Sequence, residues 1–401
     1  MNTNTNTNTN TNTNTNTNTK WIADNIKNAP PSALDKLLKI SSEYKDVISL
    51  ALGEPDFDTP EHIIKAGTEA LKAGYTHYTS NFGMLELREA IAEKLDREND
   101  FRVYPENEII VTCGAGTAID LFMRAVLNPG DEVIVQDPGY FNYIYLSAFI
   151  DAKLVPVHVK ETNGFSLKPE ELEEKITGKT KLLIINSPAN PTGSVISEKD
   201  LSKIADIAIE NDFLVLTDEI YEKLIYGEKH FSIASIPEMK ERCVLINGFS
   251  KAYAMTGWRV GYAAGCREII NKMGVIGAYT SICAPAVSQT AALEALKGDQ
   301  KCVEAMREEY NKRRLYIVKR LREMGIPTVM PEGAFYVFPN ISSHGSSEEV
   351  WELFLEKANV STTPGTAFGR HGEGYLRLSY ANSLENIERA LGSIEAMIKG
   401  R

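Results

Sequence analysis

Four apolar runs in this chain each lead into residues that can bind a ligand or move a proton. Residues 109–111 precede Thr112 and then Cys113-Gly114-Ala115-Gly116-Thr117. Residues 182–185 precede Asn186-Ser187-Pro188-Ala189-Asn190-Pro191-Thr192-Gly193, and residues 133–135 form a further apolar run. Residues 213–216 lead into Thr217-Asp218-Glu219-Ile220-Tyr221, and residues 244–246 into Asn247-Gly248-Phe249-Ser250-Lys251. In an open α/β sheet, ligands bind outside the carboxyl ends of the strands. An acid, an amide, a phenol, an amine and a Gly-rich turn are therefore expected to converge on one rim. Gly114-x-Gly116 lacks the third glycine of a dinucleotide fingerprint, because Ile119 stands in its place. Small residues at a helix start still let backbone N–H groups approach an anion, most naturally one phosphate. A tight strand-to-helix turn without a ligand is the plainer reading of the same residues.

Short, uninterrupted apolar runs are typical of parallel strands buried on both faces. Helical patterns lie between most of them, at 116–127, 169–176 and 198–211. Thr59-Pro60 predicts an N-cap followed by the first helical residue, with the helix ending near Gly74, and 84–97 continues the helical pattern. This is an α/β pattern with a mainly parallel sheet covered on both sides. From about residue 300 the pattern changes to mixed α+β. It is helical over 300–324, strand-like at 334–338, helical at 347–358, strand-like at 375–379 and helical at 383–399. Residues 21–50 are expected to lie against this smaller unit.

The 401 residues are 43% hydrophobic, ample for a core and long enough for two domains. The net charge of −11 speaks against nucleic acid as a partner, since phosphate binding needs a basic face. Five cysteines without a C-x-x-C pair, and six dispersed histidines without H-E-x-x-H, indicate neither a disulfide frame nor a metal site. No apolar run has membrane-spanning length and no secretory leader is recognisable, so a cytoplasmic protein with no membrane partner is expected. Residues 2–19 are nine Asn-Thr repeats with nothing apolar to bury, and a disordered tail is expected there.

The run from Gly248 to Gly261, with Ser250-Lys251, seven residues and then Arg259-x-Gly261, resembles the cofactor-attachment site of the class I and II pyridoxal-phosphate-dependent aminotransferases. Asn190-Pro191-Thr192-Gly193, Asp218-Glu219-Ile220-Tyr221, Tyr78 to Arg88 (Y-x-x-x-x-G-x-x-x-L-R), Gly333-Ala334-Phe335-Tyr336 and Tyr375 to Tyr380 resemble further motifs of that family, in the same order. The resemblance covers about residues 21–400. It implies an aspartate/aromatic aminotransferase-like α/β fold of fold type I, with pyridoxal 5'-phosphate as cofactor. The domains are then expected to be a tail at 1–19, an arm and part of the small domain at 20–58, a large cofactor-binding domain at 59–300 and a small C-terminal domain at 301–401.

The resemblance also implies roles. Lys251 carries the cofactor as an internal aldimine and later serves as base and acid at the substrate α-carbon. A lysine at its ordinary pKa of about 10.4 is mostly protonated and unreactive at neutral pH, and condensation with an aldehyde removes that problem. Asp218 faces the pyridine nitrogen and keeps it protonated, so that the ring accepts electrons. Tyr221 and Asn190 donate to the ring phenolate, and Tyr140 stacks on the ring. Ser250, Arg259 and the backbone of Gly114, Ala115 and Gly116 hold the phosphate, with Tyr78 reaching over from the second subunit of a homodimer. Arg377 clamps the substrate α-carboxylate bidentately, assisted by Asn190 and Gly53. Taken singly, each has an ordinary reading: a solvated lysine, an Asp capping the next helix, turn and core residues, an ion-paired arginine.

One departure bears on the substrate. Prokaryotic-type aspartate aminotransferases usually carry Gly-Gly-Lys-Gln where this chain has Gly114-Ala115-Gly116-Thr117, and their lysine helps to bind the distal carboxylate. With Gly116 in its place, a relaxed or aromatic-leaning range of L-amino acids and 2-oxo acids is expected, with glutamate and 2-oxoglutarate as one pair. Arg370 is one candidate cation for a distal carboxylate, a solvent-exposed side chain being its plainer reading. The alternative on the same scaffold is a C–S β-lyase or related α-carbanion chemistry, because fold does not settle the reaction. A transcription regulator built on this fold would carry a basic helix-turn-helix domain ahead of it, and only the tail and a short arm are seen here.

Overall fold

The computed structural model describes residues 20–27, 29–30, 46–227 and 229–400, so the expectation for the tail at 1–19 lies outside the described residues. After β1 (Ile48–Ser49), the apolar runs form β2 (Ile109–Thr112), β3 (Glu132–Asp137), β5 (Thr180–Asn186), β6 (Leu214–Asp218) and β7 (Cys243–Gly248). They are joined by β4 (Lys153–His158) and β8 (Gly261–Gly265) in one seven-stranded sheet of order β2-β8-β7-β6-β5-β3-β4. All pairings are parallel except those of β8, which runs antiparallel to both β2 and β7.

Successive side chains of a strand point to opposite faces, and this alternation builds two cores. Val111, Ile134, Leu183, Ile185, Val215 and Leu245 enter one. Ile110, Val133, Val135, Ile184, Leu216 and Val244 enter the other, under the helices Ala115–Val126 and Arg267–Thr280. The β8 sequence, Gly-Tyr-Ala-Ala-Gly, has no β-branched residue and so no strand signal. It fits because its neighbours come very close: a Cβ on Gly261 would lie 2.6 Å from the Ala115 backbone nitrogen, and one on Gly265 2.7 Å from the Cys243 carbonyl oxygen.

A third core joins Leu50 to the helices Lys301–Glu323, Ser347–Ala358 and Leu384–Lys399 and to β9 (Tyr336–Val337), β10 (Val360–Ser361) and β12 (Leu376–Ser379). Between the last two lies β11 (Thr363–Pro364), which pairs with β12, as β9 does on its other side. β1 pairs in parallel with β10. Residues 48–50 thus lie against the smaller unit as expected. The short helix Asp24–Lys27 does not: Asn25 donates to the carbonyl of Phe149 on the helix Phe141–Phe149, beside the large sheet (2.7 Å).

The helix expected after Thr59-Pro60 spans Glu61–Lys72, but its cap is Pro60 in an extended conformation (ψ 140°), not Thr59. The Thr59 hydroxyl is drawn into tertiary contacts instead. It donates to the carbonyl of Ala254 (2.6 Å) and accepts from the indole of Trp258 (2.9 Å). The strand expected over 334–338 shortens to Tyr336–Val337. All five cysteines are free. Among the described residues, no helix is long and apolar enough to cross a membrane.

Candidate active site

The carboxyl ends of the parallel strands open into a cleft of about 440 Å³. Eleven of the thirteen residues singled out from the sequence line it: Gly53, Ala115, Gly116, Tyr140, Asn190, Asp218, Tyr221, Ser250, Lys251, Arg259 and Arg377. Gly114 sits immediately behind, in a left-handed conformation (φ +95°), where a Cβ would lie 2.6 Å from Nη2 of Arg259. Tyr78 is not brought to the cleft of its own chain and is 79% exposed. Arg370 is exposed and does not line the cleft either, which overturns it as a cation for the substrate side chain in this chain's site.

Asp218 ends β6 and is 3% exposed. Its Oδ2 accepts from the Tyr143 hydroxyl at 2.7 Å and its Oδ1 from the Ile220 N–H at 3.3 Å. Burial pushes its pKa up to about 6, against the opposing pull of the Tyr143 bond. Tyr143 was not foreseen, although it lies three residues past Tyr140 on the helix Phe141–Phe149. Residues three apart share a helix face, a signal that could have found it.

Lys251 follows the turn after β7, and its Nζ donates to the Gly53 carbonyl at 2.5 Å. Burial, with the Arg377 guanidinium close by, brings its pKa down to about 8. Arg377, on β12, is 3% exposed. It donates to Asn190 Oδ1 at 2.9 Å and to the Ala51 carbonyl, while its Nε has no partner. Arg259 donates to the carbonyls of Thr256 (3.0 Å) and Cys113 (3.2 Å), and its own φ of +54° is left-handed. Among the described residues neither guanidinium has a carboxylate partner. Two arginines without counterions in one cleft call for anions.

Tyr336 closes the motif Gly333-Ala334-Phe335-Tyr336, which by itself assigns it no role. Its hydroxyl lies 2.8 Å from that of Tyr221, and its ring centroid 4.5 Å from Cζ of Arg377. A Cβ on Gly53 would lie 2.1 Å from this hydroxyl, so the glycine leaves room for it.

Behind the cleft the turn after β6 alternates: Asp218 and Tyr221 face in, while Glu219 and Glu222 enter a buried polar cluster. Glu219 accepts from Asn99 (3.0 Å), Ser232 (2.6 Å) and Thr217 (3.0 Å), and lies 2.8 Å from His230 Nε2. Glu222 accepts from Asn99 at 2.8 Å and from the Lys94 ammonium. Glu219, Glu222 and His230 could surround a cation, but the Lys94 ammonium already supplies the positive charge.

The donor set fits a phosphorylated pyridine aldehyde. It offers a buried amine poised near neutrality, a buried carboxylate, unpaired arginines, and glycines where any Cβ would intrude. The model for the class I and II aminotransferases matches residues 45–394. The chain is 47% identical to an aspartate aminotransferase of Pyrococcus abyssi, over 94% of this chain and 98% of that protein. It is 44% identical to aromatic-amino-acid aminotransferase 2 of Thermococcus litoralis, with the same coverage of each. The solved aromatic aminotransferase of Pyrococcus horikoshii superposes with a TM-score of 0.88 at 47% identity, over 91% of this chain and 99% of that one. The chain therefore belongs to the class I and II aminotransferases, enzymes that depend on pyridoxal 5'-phosphate. It has their α/β fold type I architecture and is a transaminase, a finding that favours transamination over the β-lyase alternative.

Proposed function

We propose that Lys251 holds the cofactor and moves the proton at the substrate α-carbon, and that the enzyme exchanges amino groups among glutamate, aspartate and aromatic amino acids and their 2-oxo acids by a ping-pong mechanism. The observation that carries this reading is the placement of Lys251 in one cleft with Asp218 and Arg377. Bound there, the cofactor supplies an electron-accepting ring conjugated to the substrate nitrogen. With a pKa near 8, roughly a tenth of Lys251 is neutral amine at pH 7, far more than for an ordinary lysine. Arg377 binds the α-carboxylate through its fork, with Asn190 and Gly53 fixing its orientation. Asp218 holds a proton on the ring nitrogen, Tyr221 and Asn190 bind the ring oxygen, and Tyr140 covers the ring. Ser250, Arg259 and the turn Gly114-Ala115-Gly116 hold the phosphate.

A broad donor range is supported by relatives of similar identity named for aspartate and for aromatic amino acids, and by Gly116. The further parts of the reading are a large domain over 59–300 with a smaller one at 301–401 and the arm, a homodimer in which Tyr78 crosses to the partner's phosphate site, a cytoplasmic location and a role in amino-acid biosynthesis. Exposure of Tyr78 supports the crossing, since a phenol placed to serve its own site would lie in its own cleft. The test is kcat/KM for aspartate, glutamate, tyrosine, phenylalanine and alanine with a fixed oxo acid. Comparable values for aspartate and tyrosine are expected. Aspartate preferred more than about a hundredfold, roughly 2.7 kcal/mol, would overturn the broad range.

A further inference from the structure

We infer that Asn142 reads the substrate side chain: its neutral amide takes the place of a lysine and lets one pocket receive both dicarboxylates and aromatic amino acids. The inference rests on the substrate range proposed above and adds the residue that sets it. Asn142 is the second residue of the helix Phe141–Phe149, two positions after Tyr140, and it lines the cleft. It faces the segment where the family pattern would put a lysine: a Cβ built on Gly116 would lie 3.5 Å from Asn142 Nδ2. Of the other two amides of the cleft, Asn186 is engaged at both ends and Asn190 at its oxygen. Asn186 donates to the Asp218 carbonyl (3.0 Å) and accepts from the Asn190 N–H (2.8 Å), and Asn190 accepts from Arg377 (2.9 Å). The Asn142 amide makes no hydrogen bond with any described residue.

A distal carboxylate entering beside Gly116 must exchange water for some donor, because desolvating an anion without one is costly. Arg377 and Arg259 are the arginines lining the cleft. In the proposed reading they serve the α-carboxylate and the phosphate. Nδ2 of Asn142 is then a donor available to the far end of aspartate or glutamate, and Oδ1 can accept from the phenol of tyrosine. An uncharged amide loses less than an ammonium when an apolar ring covers it, so the same residue tolerates phenylalanine.

The test uses the cofactor-loaded enzyme with Asn142→Leu and Asn142→Asp, and the non-reacting acids succinate and 3-phenylpropionate, whose dissociation constants are read by titration calorimetry. Asn142→Leu, which keeps the shape and removes the donor, should weaken succinate about tenfold while changing 3-phenylpropionate by less than about threefold. Asn142→Asp, which adds a like charge, should weaken succinate further, on the order of a hundredfold. The kcat/KM ratio of aspartate to phenylalanine should fall in parallel. An unchanged ratio of the two dissociation constants in both variants would overturn the role of Asn142. So would an equal loss of both acids, which would make the residue a support of pocket shape alone. Failure of the wild-type enzyme to use any of these amino acids would instead overturn the substrate range it rests on.

Discussion

The Tyr143 hydroxyl donates a 2.7 Å hydrogen bond to Oδ2 of Asp218, so the helix that begins beside Tyr140 also holds the buried carboxylate at the end of β6. A carboxylate so buried needs every donor it has, and the Tyr143 bond acts against the burial that raises its pKa to about 6. Tyr143→Phe should raise the pKa further and leave Asp218 less fully ionised near neutrality. We expect kcat to fall about tenfold, the worth of one hydrogen bond to a charged group, and the acidic limb of the pH–rate profile to move to higher pH. An unmoved acidic limb would show that the bond does not tune Asp218.

Asp218→Asn separates folding from chemistry. In the cofactor-free protein the carboxyl titrates near 6, against about 3.9 when unfolded. Between those values the folded chain keeps a proton that the unfolded chain has lost, so this group's contribution makes stability fall as pH rises from about 4 to about 6. The asparagine variant lacks this loss. It should be the more stable cofactor-free protein at pH 7, by up to about 3 kcal/mol, and the advantage should vanish near pH 4. It should also be far less active. Urea unfolding at both pH values checks the sign, and an advantage that grows toward pH 4 would refute it.

Gly53→Ala would place a methyl 2.1 Å from the Tyr336 hydroxyl. That phenol must then leave its 2.8 Å contact with Tyr221 and its position over Arg377. Because misplacement by about 1 Å can cost a hundredfold, KM for amino and oxo substrates should rise tenfold or more, with kcat less affected. Unchanged KM values would mean that Gly53 and Tyr336 do not shape the carboxylate site.

The proposed dimer is tested by complementation between Tyr78→Phe and Lys251→Ala. After subunit exchange, one hybrid site has both native groups, so the mixture should regain part of the activity that each variant lacks. A protein that sediments as a monomer while turning over would rule out a shared site.

The strands and the site were legible to very different depths. Apolar runs announced β2, β3, β5, β6 and β7, because parallel strands buried on both faces must be apolar throughout. β8 was invisible because its glycines and alanines are selected by close approach to Ala115 and Cys243, not by strand propensity. Lys251, Asp218, Arg377 and Asn190 could be picked out because they fall in motifs whose spacing resembles that of the family. Tyr143 is signalled only by its spacing from Tyr140, whereas Tyr336 and Asn142 make their contacts across the fold, to Tyr221 and to the space beside Gly116, and no local pattern announces these. The cluster of Lys94, Asn99, Glu219, Glu222 and His230 was hidden for the same reason, since its members lie up to 136 positions apart in the chain.

Whether Lys251 carries the cofactor is decided by borohydride reduction of the purified enzyme followed by peptide mapping. The near-ultraviolet or visible absorption band should collapse, the reduced cofactor should be found on the peptide containing Lys251, and Lys251→Ala should fold yet lose turnover. Cofactor fixed to another lysine, or a Lys251→Ala enzyme with normal turnover, would show that Lys251 is not the attachment residue.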